Sequence, residues 1–172
     1  MGRKNRYYLI ACGTSDYDNY EPLDYVREDI ERITKLFTEK FGYERVLLSL
    51  DINPDKQKFT DYKADSFADW LEKEERQEND IVVFYYSGHG LSPKQQKDNK
   101  HYLALKQTVP NREYQTAFAT EELVYPLMNK KVKIAQILFI IDTCHSQGGA
   151  SDLVSLASNI LGSFEKVEGQ KC

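Results

Sequence analysis

Apolar residues along this chain fall into short continuous runs at 7–13, 45–50, 81–86 and 134–141, separated by stretches in which they recur every three or four positions. A run with no polar alternation must be covered on both faces, so 81–86 reads as a central strand of a parallel sheet, with 7–13 and 134–141 as further main strands. Between the first two runs, Val26, Ile30, Ile33, Phe37 and Phe41 keep helical spacing and Gly42 supplies a stop, which predicts an amphipathic crossover helix. Asn53-Pro54 reads as a cap and first position of a second helix carrying Phe59, Tyr62, Phe67, Trp70 and Leu71, with a break near Ala64. After a polar loop at 93–100, the segment 101–105 suits a small accessory strand. Thr120 is placed to cap a helix over 121–129, and Ser151 one that runs to Leu161 and stops at Gly162. Strands alternating with helices imply an α/β fold, a three-layer sandwich around a mostly parallel sheet with right-handed crossovers.

Composition narrows the class without changing that picture. In 172 residues, 41% hydrophobic and 29% charged, there is enough apolar material for one core and too little for a membrane protein, so a single domain over 1–172 is expected. A net charge of -4 offers no attraction to polyanions, and no dense Lys/Arg cluster suggests a nucleic-acid partner. The apolar stretch after the basic amino end is too short for a signal-peptide core or a bilayer span, so neither export nor a membrane partner is expected. Cys12, Cys144 and Cys172 are too scattered for a disulfide framework or a zinc site, which fits a reducing cytoplasm and no bound metal.

Candidate chemistry sits where two of the strands end. Ser87-Gly88-His89-Gly90 follows one run and Asp142-Thr143-Cys144-His145-Ser146 closes another, at the carboxyl edge where open α/β sheets hold their ligands. A thiol with a pKa of roughly 8.5 is barely ionised at neutral pH, so nucleophilic attack by Cys144 needs a base, and His89 can supply it. Plainer readings stand beside these. A Gly-His-Gly alone is often only a turn, a lone cysteine is often a buried thiol, and Asp142 can serve by holding loop amides. His145 is expected to point away from its neighbour, and Cys12, inside an apolar run, reads as a small buried hydrophobe.

In motif and spacing the chain resembles the caspase-like cysteine peptidase superfamily, nearest its metacaspase and bacterial caspase-homologue branch. Ser87-Gly88-His89-Gly90 is similar to the family's histidine motif and Asp142-Thr143-Cys144-His145-Ser146 to its cysteine motif, with Cys144 lying 55 positions after His89. Asp142 and Thr143 depart from the Gln-Ala of animal caspases, which favours the metacaspase branch. The resemblance implies a cysteine endopeptidase with a His89–Cys144 dyad, an oxyanion hole from the backbone N–H groups of Gly90 and Cys144, and a first specificity pocket formed by Asp29 and Asp142 that selects Arg or Lys. It implies protein or peptide substrates, a regulated role in cell death or defence, and no cofactor; calcium activation occurs in parts of the branch, though no compact carboxylate cluster stands out here. It also implies that this chain covers the large-subunit part of the fold and lacks the final strands. A downstream small-subunit segment or a fused regulatory domain would then be its partner. Two rivals remain: a non-proteolytic caspase-like interaction module, and a peptidase with Asp specificity, for which Arg27 is the nearby cation.

Overall fold

Tyr7–Gly13 (β1) and Ile81–Gly88 (β3) lie side by side at the centre of a parallel sheet in the computed structural model, which describes residues 5–143 apart from 63, 64, 74, 94–99 and 135. Glu44–Arg45 (β2) flanks β1 and Gln136–Thr143 (β7) flanks β3, giving the order β2-β1-β3-β7 with every pairing parallel. Alternate residues of the central strands enter two different cores, which is why these runs show no polar alternation. Leu9, Ala11, Val83 and Tyr85 pack under Ile30, Ile33 and Phe37. Tyr8, Ile10, Cys12, Val82, Phe84 and Tyr86 pack against Phe59, Phe67, Trp70, Leu71 and Leu123 on the other face. The result is the α/β/α layering expected from the sequence.

The crossover helix is Val26–Lys35 (α1), prolonged by a π-helical turn over Leu36–Lys40 and closed by Gly42, whose φ of 70° is a left-handed conformation that glycine tolerates. Several local expectations need correction. The second strand is not 45–50 but two residues long. Val46 N–H still bonds the Leu9 carbonyl at 2.8 Å, but the Ala11 carbonyl is taken at 2.6 Å by the Arg45 guanidinium, and the backbone ladder stops there. Asn53 does not cap a helix: its φ is 50°, its side chain faces the loop after β1, and the helix starts later, at Gln57–Thr60 (α2). Phe67–Glu72 (α3) is a separate helix, capped by Ser66, whose Oγ accepts from the Asp69 N–H at 3.0 Å.

The accessory strand belongs to a small antiparallel sheet made of Gly90–Leu91 (β4), Tyr102–Leu103 (β5) and Phe118–Ala119 (β6), the last preceded by Glu113–Thr116 (α4). The segment after it, Thr120–Met128, is a 3₁₀ helix rather than an α-helix, and Pro126 inside it has no N–H to give to an i−4 carbonyl. Thr120 bonds His101 instead of capping. Among the described residues no helix is long and apolar enough to cross a membrane. The helix expected over 151–161, together with Cys144, His145 and Cys172, lies outside the described residues, as does most of the 93–100 loop.

Candidate active site

Strands β3 and β7 run level to their ends, with Ser87 opposite Asp142 and Gly88 opposite Thr143. His89 leaves β3 at that rung, and Cys144, next in sequence after Thr143, lies outside the described residues. The imidazole is held by the loop that follows β1. Its Nε2 stands 2.9 Å from the Glu21 carbonyl oxygen, and since a carbonyl only accepts, Nε2 carries the hydrogen and Nδ1 keeps its lone pair in the neutral ring. The His89 N–H donates to the Tyr17 hydroxyl at 2.9 Å, and the Tyr17 and Tyr20 rings lie 4.8 and 6.0 Å from the imidazole.

That loop is fastened at two places in its first half. Asn53 Oδ1 accepts from the Ser15 and Asp16 N–H groups at 2.9 and 3.0 Å. Asp18 N–H donates to the Lys106 carbonyl at 2.9 Å, and Asn19 Nδ2 to the Thr108 carbonyl at 3.1 Å. Gly90 opens β4 opposite Leu103, and the bond from Ala104 N–H to the His89 carbonyl makes the preceding pair the hydrogen-bonded one. By the alternation of antiparallel ladders, the Gly90 N–H is directed away from β5.

One of the two candidate pocket carboxylates, Asp142, bonds a phenol. Tyr85 donates its hydroxyl to Asp142 Oδ2 at 3.1 Å, and Asp29, in the first turn of α1, acts on the same group through its charge. Burial first, then the neighbouring Asp142 carboxylate, pushes the Tyr85 phenol up, so it stays protonated as a donor. Arg27 sits in an exposed pair with Asp16 at 3.7 Å. Thr143 meets His101 Nε2 at 3.4 Å, and the other nitrogen of that buried ring lies 2.7 Å from Thr120 Oγ1. Cys12 is fully buried, and burial pushes its thiol up. No group of three or more His, Cys, Asp or Glu among the described residues could hold a metal ion.

Sequence reasoning did not find Glu21, Tyr17 or Tyr85. A backbone carbonyl leaves no residue-type signal, and among 12 tyrosines nothing in the pattern distinguishes Tyr17 and Tyr85. No curated protein matches the chain. A family model described as the caspase domain does match, over residues 6–170. With nearly the whole length matched and an α/β sandwich around a parallel sheet, the chain belongs to the caspase-domain family of cysteine peptidases.

Proposed function

We propose that this chain is a cysteine endopeptidase of metacaspase type, in which Cys144 is the nucleophile, His89 its base, and the bond cut follows Arg or Lys. The observation that carries the reading is the Glu21 carbonyl on His89 Nε2, because it leaves the Nδ1 lone pair as the ring's proton acceptor. In the mechanism, Nδ1 takes the proton from Cys144 Sγ as sulfur attacks the scissile carbonyl carbon. The resulting imidazolium returns that proton to the departing amine nitrogen. Water then attacks the thioester, giving a proton to Nδ1, and the imidazolium passes that proton to the departing Cys144 sulfur, releasing the acid and restoring the thiol and the neutral ring. Gly90 and Cys144 N–H groups are the proposed donors to the oxyanion.

Asp29 and Asp142 form the proposed pocket for the substrate cation. The place of Asp142 beside the end of β3, where it accepts from Tyr85, supports its part in that pocket, and the engagement of Arg27 by Asp16 weighs against an Asp-selective pocket. The reading includes a cytoplasmic role in cell death or defence, with 1–172 as the large-subunit portion of one peptidase domain and a downstream small-subunit segment or regulatory domain as its partner. The test is cleavage of fluorogenic peptides ending in Arg, Lys or Asp by the chain, its Cys144→Ala variant and a form extended by native downstream sequence, with and without calcium. Thiol-dependent release after Arg or Lys that vanishes in Cys144→Ala is expected. Preference for Asp overturns the pocket. Silence of every form, with and without calcium, overturns the peptidase in favour of an interaction module.

A further inference from the structure

We propose that Tyr17 is the positioning residue for the His89 imidazole, holding the backbone and ring of that histidine so that one tautomer, protonated on Nε2, prevails. The proposal rests on reading His89 as the base but concerns a residue outside the histidine and cysteine motifs at 87–90 and 142–146. A tyrosine hydroxyl has one hydrogen to give and lone pairs to accept with, and Tyr17 uses both functions on the backbone around the site. It donates to the Thr14 carbonyl at 2.7 Å and accepts from the His89 N–H at 2.9 Å. One side chain therefore ties the end of β1 to the residue that leaves β3.

Its ring completes the hold. The Tyr17 and His89 centroids are 4.8 Å apart with planes tilted by 52°, a contact distance at which rotation of the imidazole meets the phenol. Gly88 makes the approach possible, since a Cβ there would stand 3.0 Å from the Tyr17 hydroxyl and 2.9 Å from that of Tyr86. Burial pushes the Tyr17 phenol up, so at neutral pH it remains the donor that the Thr14 bond requires. Asn53, Lys106 and Thr108 fix the loop that carries Tyr17, so its place is set by the scaffold rather than by the site.

With Tyr17 and the Glu21 carbonyl acting together, the ring has its backbone, plane and one nitrogen all specified. Loss of the Tyr17 hydroxyl leaves the His89 N–H and the Thr14 carbonyl without that partner and lets the ring tilt away from the Glu21 oxygen.

The experiment is nitrogen-15 NMR of protein labelled only in its three histidines, with His89→Ala used for assignment, on the parent and Tyr17→Phe. In the parent, the neutral His89 ring is expected as the single Nε2–H form. In Tyr17→Phe, with the fold and the other histidine signals kept, it is expected to move toward a mixture of tautomers, and kcat on the best fluorogenic substrate to fall about tenfold at unchanged KM. A parent ring that averages both tautomers or carries its proton on Nδ1 overturns the proposal without any variant, and so does a folded Tyr17→Phe with unchanged His89 signals. If the parent cleaves no peptide, the peptidase reading fails alone, because the tautomer measurement still decides the role of Tyr17.

Discussion

Asn53 is one of the residues through which the main fold holds the histidine loop, and its replacement gives a graded prediction. Its Oδ1 accepts from the N–H groups of Ser15 and Asp16, its Nδ2 donates to Asp16 Oδ2 at 2.6 Å, and its own φ is 50°. Ser15 is 4% exposed, so its N–H has little access to water once the acceptor is gone. Asn53→Gly keeps the left-handed backbone but strands that amide, at a cost of about 1–3 kcal/mol. Asn53→Ala carries the same loss, keeps the Cβ but lacks the short polar side chain that lets asparagine tolerate left-handed space, and so falls about 1–2 kcal/mol below the glycine variant. Asn53→Asp restores the acceptor but sets two carboxylates together, so its deficit shrinks as pH falls through the carboxylate range. Urea unfolding at pH 7, followed by the fluorescence of Trp70, the sole tryptophan and 3% exposed, measures all three. Equal stabilities for the Gly and Ala variants would refute the backbone argument. Values within about 0.5 kcal/mol of the parent for both would refute the tether itself.

Two further outcomes follow from close packing and from burial. A Cβ on Gly13 would stand 2.4 Å from the Ser87 carbonyl oxygen and 2.7 Å from Val26 Cγ1. Gly13→Ala is therefore expected to lose about 1–3 kcal/mol or more, and an unchanged urea midpoint would show that β1 and β3 are less closely held than this. Burial holds the Cys12 thiol and the Tyr86 phenol protonated well above their ordinary ranges. Above the unfolded thiol's pKa of about 8.5, only the unfolded chain has released that proton, so stability present below this pH falls above it by about 1.4 kcal/mol per pH unit. Tyr86 adds a similar slope from about pH 10. Cys12→Ala should abolish the first leg and keep the second; identical pH slopes for parent and variant between 8.5 and 10 contradict the assignment.

The central strands were legible because their signal is the loss of alternation. Leu9 and Tyr8, or Val83 and Phe84, enter opposite cores, and only apolar residues satisfy both sides. The crossover helix was legible from its 3.6-residue period, and the histidine from its place after a buried run. What escaped notice depends on contacts made far along the chain. Arg45 ends a strand by giving its guanidinium to carbonyls of β1, and Asn53 looks like a helix cap until its partners, 38 and 37 positions away, are known. Both residues are ordinary turn or strand-end types, so composition carries no trace of those partners. Glu21 contributes a carbonyl that any residue could have offered.

Tyr85 and Tyr86 show how one strand end specifies two parts of the site. Successive side chains of a strand point to opposite faces, so Tyr85 goes to the α1 side and Tyr86 to the other. Tyr85 donates to Asp142 at 3.1 Å, reaching diagonally across the pairing in which Ser87 faces that aspartate. Tyr86 meets Thr14 Oγ1 at 2.9 Å and the Ala104 carbonyl at 3.0 Å, bracing the start of the histidine loop and the strand behind Gly90. Asp142 and the start of the histidine loop are thus supported from opposite sides of a single backbone segment. A slip of β3 by one residue would exchange the two tyrosines between faces, turning Tyr85 toward the Phe59 core and removing the donor from Asp142. The apolar pattern that fixes the register of β3 therefore also fixes which side of the sheet presents the phenol that bonds Asp142.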